Sequence, residues 1–194
     1  MNPWLTPSIK WPSSPLLPGE DKWGRNQRLW PLRLAALETL HIEPQDNIIM
    51  LPKPWDAGLF QRAAEFNQQV AGPKPLGLWY ACGAGWLDWA VSEMPDWLHG
   101  YIYRLDLDKT QMLQLRSRQS VVDFGSKYKY ESYGTSAIRW ASVAERYPGI
   151  EICPYQASLR MHPAVDWYYT WDVASGCIWN PVVIRGVRQV FASS

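Results

Sequence analysis

GLWYACGAGWLDWAVSEM, residues Gly77–Met94, decides how the rest of the chain is read. Leu78–Cys82 is apolar, aromatic and short, as a buried strand is. Gly83 and Gly85 interrupt it, and Trp86, Trp89 and Ala90 then recur at helical spacing. The segment is therefore predicted as strand, glycine turn, helix. A helix start offers unpaired backbone N–H groups, which hold anions, and Trp79, Tyr80 and Trp86 beside it offer flat faces for a ring. That pairing suits a nucleotide-sized ligand. The same tryptophans also serve as ordinary core residues.

Working outward, the chain of 194 residues is long enough to bury a sizeable core in one domain. Charged residues are only 19% and apolar ones 47%, which excludes a disordered chain. The 13 Trp and 10 Tyr against 4 Phe make an amphipathic core, because indole N–H and phenol O–H groups need partners when buried. A formal net charge of +1 gives no broad attraction to nucleic acid or to a membrane surface. Cys82, Cys153 and Cys177 are odd in number and widely spaced, which argues against a disulfide framework and a structural zinc site and for free thiols. With no secretory signal pattern and no apolar span of membrane length, the expected location is the cytoplasm.

Residues 1–24 carry five prolines and three tryptophans, so they read as an extended arm packed on the body or on a partner. Residues 25–194 read as a single α+β domain. Within it, helices are expected over Arg28–Leu40, with Pro31 in the first turn, over Leu59–Val70, and over Ala137–Tyr147 with Thr135 or Ser136 as N-cap. Strands are expected at Asn47–Leu51, Tyr101–Asp108, Met112–Leu115, Ile150–Cys153, Trp167–Asp172 and Cys177–Trp179, with a last strand or two in Pro181–Val190. Tyr101–Asp108 and Met112–Leu115 read as a hairpin, and Cys177–Trp179 as pairing back on Trp167–Asp172 after the Ala174-Ser175-Gly176 turn. Ser120–Tyr133 is ambiguous and fits a helical turn followed by a mobile loop.

Phosphate-loop, dinucleotide-fingerprint, zinc-protease and nucleophile-elbow motifs are all absent. His41, His99 and His162 sit in unrelated contexts, so no metal site is expected; a Cys153–His162 pair has no local signature. Glu151 stands out among the carboxylates. Ile150 and Ile152 turn one face of its strand inward and the glutamate to the other. If that face lines a cleft, Glu151 is a rigidly held acid or acceptor. Otherwise it faces solvent or pairs with Arg146 or Arg160. Asp172 reads as a turn former, and Asp106 and Asp108 as solvated.

The order of three segments resembles the ADP-ribosyltransferase-like family, in a divergent, Trp-rich form of phage or plasmid type. These are Lys74–Ala90, Tyr101–Leu115, and Arg146–Tyr155 taken with Trp167–Trp179. The resemblance implies two small antiparallel or mixed sheets forming a cleft, flanked by helices. NAD is implied as substrate, with transfer of ADP-ribose to a protein or nucleic-acid acceptor in a bacterial host. It implies Glu151 as the catalytic carboxylate, Trp79 and Tyr80 as the aromatic wall, and Gly83 and Gly85 as the small-residue turn, and Trp86 joins them among the expected NAD-binding residues. Cys82 stands where the family has serine or threonine, and Lys53 is the nearest basic residue to the first core strand. Gly149, two residues before Glu151, replaces the glutamate that marks transfer to arginine. A second expectation stands beside this one: a non-catalytic module that binds a nucleotide or a protein through the arm and the tryptophan-lined cleft.

Overall fold

The computed structural model describes residues 8–56, 58, 68, 71–132 and 135–190. Helix α1 (Lys22–Glu38) leads into β1 (Asn47–Leu51); β2 (Leu78–Cys82) and α2 (Gly85–Ser92) follow, then β3 (Tyr101–Leu107) and β4 (Leu113–Leu115). After them come α3 (Arg118–Tyr128), β5 (Lys129–Ser132), β6 (Thr135–Ile138), α4 (Trp140–Ala144), β7 (Gly149–Ile152), β8 (Ser175–Ile178) and β9 (Ile184–Gln189), with short 3-10 turns between. The class is α+β. The strands make one seven-stranded sheet in the order β4-β7-β8-β2-β1-β3-β9 and a separate two-stranded ribbon, β5-β6, rather than two small sheets of similar size.

The sheet is curled, and the chain's own reach explains why. Four strands lie between β3 and β4 in the sheet, yet only Asp108–Met112 joins them. In a flat sheet those strands would stand about 24 Å apart. Six Cα steps reach at most about 21 Å when fully extended, and Lys109–Gln111 is wound into a 3-10 turn, which shortens it further. The two edges must therefore bend toward each other.

Curling gives the sheet an inner and an outer face. The outer face carries Trp79, Ile150, Ile152 and Cys177 against α3, α4 and the turn Pro163–Thr170, and Ile48 and Ile102 against α1 and α2. The inner face gathers Ile49, Tyr80, Tyr103, Leu105, Met112 and Ile178. Alternation along each strand divides the two sets.

Several expected boundaries shift. Helix α1 starts at Lys22, where the Asp21 carboxylate caps the Gly24 N–H at 2.8 Å, so Pro31 lies inside the helix and not in its first turn. The expected hairpin does not form: β3 is flanked by β1 and β9, and β4 instead runs parallel to β7 at the other edge. Ser120–Tyr133 divides between α3 and β5. Thr135 and Ser136 belong to a strand, and the helix after them begins at Trp140. Trp167–Asp172 is not a strand. Its buried rings Trp167, Tyr168 and Trp171 follow a helical spacing on a 3-10 turn, and Cys177 pairs with Trp79 and Ile150 on β2 and β7. The expected helix Leu59–Val70 lies outside the described residues. Residues 9–14 pack on the body, with Ile9 N–H donating to Gly100 O at 2.7 Å and the Trp11 indole to His99 O at 2.9 Å. No helix among the described residues is long and apolar enough to cross a membrane.

Candidate functional site

The register of three neighbouring strands builds the site. Glu151 on β7, Gly176 on β8 and Tyr80 on β2 form one row across the inner face. One row on, Cys82 donates its backbone N–H to Ala174 O at 2.9 Å, and Cys153 follows Ile152 on the far side of that residue. The middle position of each row is a glycine or an alanine, and this decides what the flanking side chains can do. A Cβ on Gly176 would lie 2.4 Å from the Tyr80 ring and hydroxyl, far inside van der Waals contact. Without it the ring crosses β8, and the Tyr80 hydroxyl donates to Glu151 Oε2 at 2.8 Å.

Glu151 is only 4% exposed, a position a carboxylate holds only with partners. Its second partner is the Lys109 ammonium, 2.5 Å from the same Oε2 and 5.8 Å from the centre of the Tyr80 ring. Lys109 belongs to the short link between the sheet edges. Gln114, beside Glu151 in the register of β4 and β7, fixes that link by donating to Lys109 O at 2.7 Å. Gln114 also accepts a hydrogen bond from Arg116. The result is a fixed carboxylate with a phenol and an ammonium on one of its oxygens.

Proton affinities follow from this packing. Burial, and then the Glu151 charge, push the Tyr80 phenol well above the ordinary tyrosine range, so it stays a donor. The Cys82 thiol is also raised, first by its hydrogen bond to Cys153 and then by burial. Cys153 is lowered, chiefly because Cys82 donates to it, with Lys109 and Arg116 further favouring its thiolate against burial and Glu151. Cys153 is therefore the more nucleophilic of the two. The third thiol, Cys177, is fully buried on the outer face and raised by that burial.

The structure brings Glu151, Tyr80 and Cys82 together and separates the rest of the expected set. Trp79 precedes Tyr80 and so points through the other face, with its ring 4.9 Å from Trp171 and the Lys74 ammonium 5.3 Å above it. The expected aromatic wall is thus split by the sheet itself. Trp86 lies in the first turn of α2 and lines a small cavity of about 130 Å³ with Met50, Trp89 and Trp97. Gly83 takes the left-handed conformation, with φ at 63°, and donates its N–H to Asp46 O at 2.7 Å, so that amide is not offered to an anion. A Cβ on Gly85 would meet Val173 at 3.6 Å. Lys53 is exposed beyond Leu51, at the end of β1 opposite Asn47 and Cys82, and the cation on Glu151 is Lys109 instead.

Glu151 is neither solvent-facing nor paired with Arg160, which binds Asp172 at 3.0 Å. Nor does Cys153 meet His162, whose Nδ1 accepts from the Ala164 N–H. Asp108 is not simply solvated; it binds Arg185 and caps Thr110. Lys109 and Gly176 both read as turn residues in the sequence, and no local pattern marks either as part of a site. Among the described residues no three or more His, Cys, Asp or Glu side chains are grouped to hold a metal ion. No protein-family model matches this chain, and neither a curated protein nor a solved structure matches it.

Proposed function

We propose that this chain is an NAD-dependent ADP-ribosyltransferase acting on a protein or nucleic acid in the cytoplasm of a bacterial host, with Glu151 as its catalytic carboxylate. One observation carries the reading. A carboxylate is held rigidly on the inner face of the sheet, bonded to a tyrosine of β2, the strand for which the resemblance implies the aromatic wall of the NAD site. Breaking the nicotinamide–ribose bond leaves positive charge on the sugar. A fixed carboxylate accepting from the ribose 2′-hydroxyl lowers the energy of that charge, and the surrounding low dielectric strengthens the effect. The Lys109 ammonium is the cation the substrate's diphosphate would draw away from Glu151, leaving Oε2 with the Tyr80 hydroxyl as its remaining partner. Tyr80, buried itself, acts through its hydroxyl by holding the carboxylate in place, and Trp79, on the other face, takes no part.

The test is nicotinamide release from NAD. Glu151→Gln is expected to abolish release with the fold retained, and Tyr80→Phe to reduce it. Trp79→Ala is expected to lower stability while leaving the KM for NAD unchanged. Unchanged turnover in Glu151→Gln would overturn the assignment.

A second reading, a non-catalytic interaction module, is favoured by the aromatic surface. Trp23 is 67% exposed and Trp30 48%, and together they line a groove of about 230 Å³ with Val91. Exposed tryptophans of this kind dominate binding energy at protein interfaces. Absent nicotinamide release, together with tryptophan fluorescence that does not respond to NAD, would select this reading.

A further inference from the structure

The apolar stripe of α1 contains a misfit. Leu29, Arg33 and Leu37 recur every fourth residue and are all buried, so a guanidinium sits where a leucine would serve. Arg33 is 5% exposed and meets only neutral oxygens, with Nε donating to Pro12 O at 3.2 Å and Nη1 to Asn26 Oδ1 at 3.3 Å. No carboxylate compensates it directly. A buried charge without a counter-charge is costly, and an arginine cannot escape the cost by losing its proton.

Arg33 lines a cavity of about 350 Å³ between residues 9–14 and α1, and Arg25 lines the same cavity. The Arg25 Nε is buried with no hydrogen-bond partner, and its Nη2 reaches Asp96 only at 3.4 Å. Asp96 is also in the cavity wall, but Lys22 binds its other oxygen at 3.0 Å. Two arginines and a lysine therefore face a single carboxylate. Arg28 adds nothing to the balance, because it is paired with Glu20 at 2.8 Å. Burial, and then repulsion from Arg25, lower the proton affinity of Arg33, partly offset by Asp96.

We propose that this cavity binds a phosphomonoester between a sugar phosphate and a mononucleotide in size, its dianion held between Arg25 and Arg33. Guanidinium forks match phosphate oxygens in geometry and charge. The volume lies within the range of small-ligand pockets and exceeds what a bare oxyanion fills, leaving room for an organic body beside Trp11. The site is distinct from Glu151 and does not depend on the transferase reading.

Calorimetric titration of the full chain at matched ionic strength tests the proposal. Ribose 5-phosphate and adenosine 5′-monophosphate are the probes, with ribose, adenosine and inorganic phosphate as controls. At least one phosphomonoester is expected to bind with a sub-millimolar Kd while ribose and adenosine do not. Arg25→Gln, on the half-exposed side, and Arg33→Met, which completes the apolar stripe, should each weaken binding about tenfold or more. Glu151→Gln should leave it unchanged, so loss of transferase activity and loss of this site are separable. No heat from either phosphomonoester, an affinity in either arginine variant equal to that of the unaltered chain, or inorganic phosphate binding as tightly as either ester would overturn the assignment.

Discussion

Replacing Gly176 by alanine puts a methyl group where the Tyr80 ring lies. The new Cβ would be 2.4 Å from Tyr80 Cζ and Oη, and Tyr80 is itself 1% exposed, so the ring has no free space to enter. Overpacking of a dense core costs about 1–3 kcal/mol. Displacing the ring also breaks the 2.8 Å bond to Glu151 Oε2, and a hydrogen bond to a charged group contributes about 1.5–3 kcal/mol. The expected loss is therefore about 2.5–6 kcal/mol, a large part of the ordinary stability of a domain. Urea denaturation of Gly176→Ala measures it, and Tyr80→Phe, which removes only the hydroxyl, isolates the bond at about 2 kcal/mol. The decisive comparison is Gly176→Ala in a Tyr80→Leu background, where the methyl has nothing to strike and its cost should fall below about 1 kcal/mol. A small cost in the native background, or the same cost in both, would refute the account of why this strand carries a glycine.

Lys109→Met should destabilise the fold by about 3 kcal/mol, because it leaves a buried carboxylate uncompensated, and adding Glu151→Gln should restore most of the loss; thermal melts of the single and double variants check this, and equal melting points in the two would contradict it. Iodoacetamide should label Cys153 fastest, Cys82 far more slowly and Cys177 only on unfolding, as mass spectrometry of time points would read out. The carboxyls of Glu20, beside Arg28, and Asp108, bonded to Thr110 and Arg185, are both held down near 2. The folded chain therefore takes up these protons later than the unfolded one. Stability from both groups is complete above the ordinary carboxylate range and is lost as pH falls from about 4.5 toward 2. Glu20→Gln and Asp108→Asn should flatten that acid limb in urea midpoints measured across the window, and an unaltered limb would be the contrary result.

Local pattern carried much of the fold. Leu78–Cys82, the glycine break and the helix after it follow from apolar run length and helical spacing, and Asn47–Leu51 from a short β-branched run between turn residues. The pairing of strands was not legible. Tyr101–Leu107 and Leu113–Leu115 look like a hairpin because they are close in sequence, and nothing local says that β9 takes the free edge of β3 while β7 claims β4. WYYTWD fails for a different reason, since buried rings on a tight turn give the same letters as a buried strand. At the site, alternation correctly predicted that Glu151 opposes Ile150 and Ile152. The same rule applied to Trp79 and Tyr80 sends them to opposite faces, and that consequence emerges only when both are placed in one sheet. Lys109 reaches Glu151 through tertiary geometry alone.

The link from β3 to β4 behaves as a hoop whose length sets the diameter of the roll it closes. Lys109 is fastened to that hoop and its ammonium to the carboxylate inside, so prising the roll apart and unpairing the glutamate are mechanically one motion. Lengthening the hoop by a few glycines would loosen the roll and leave every strand's own residues intact.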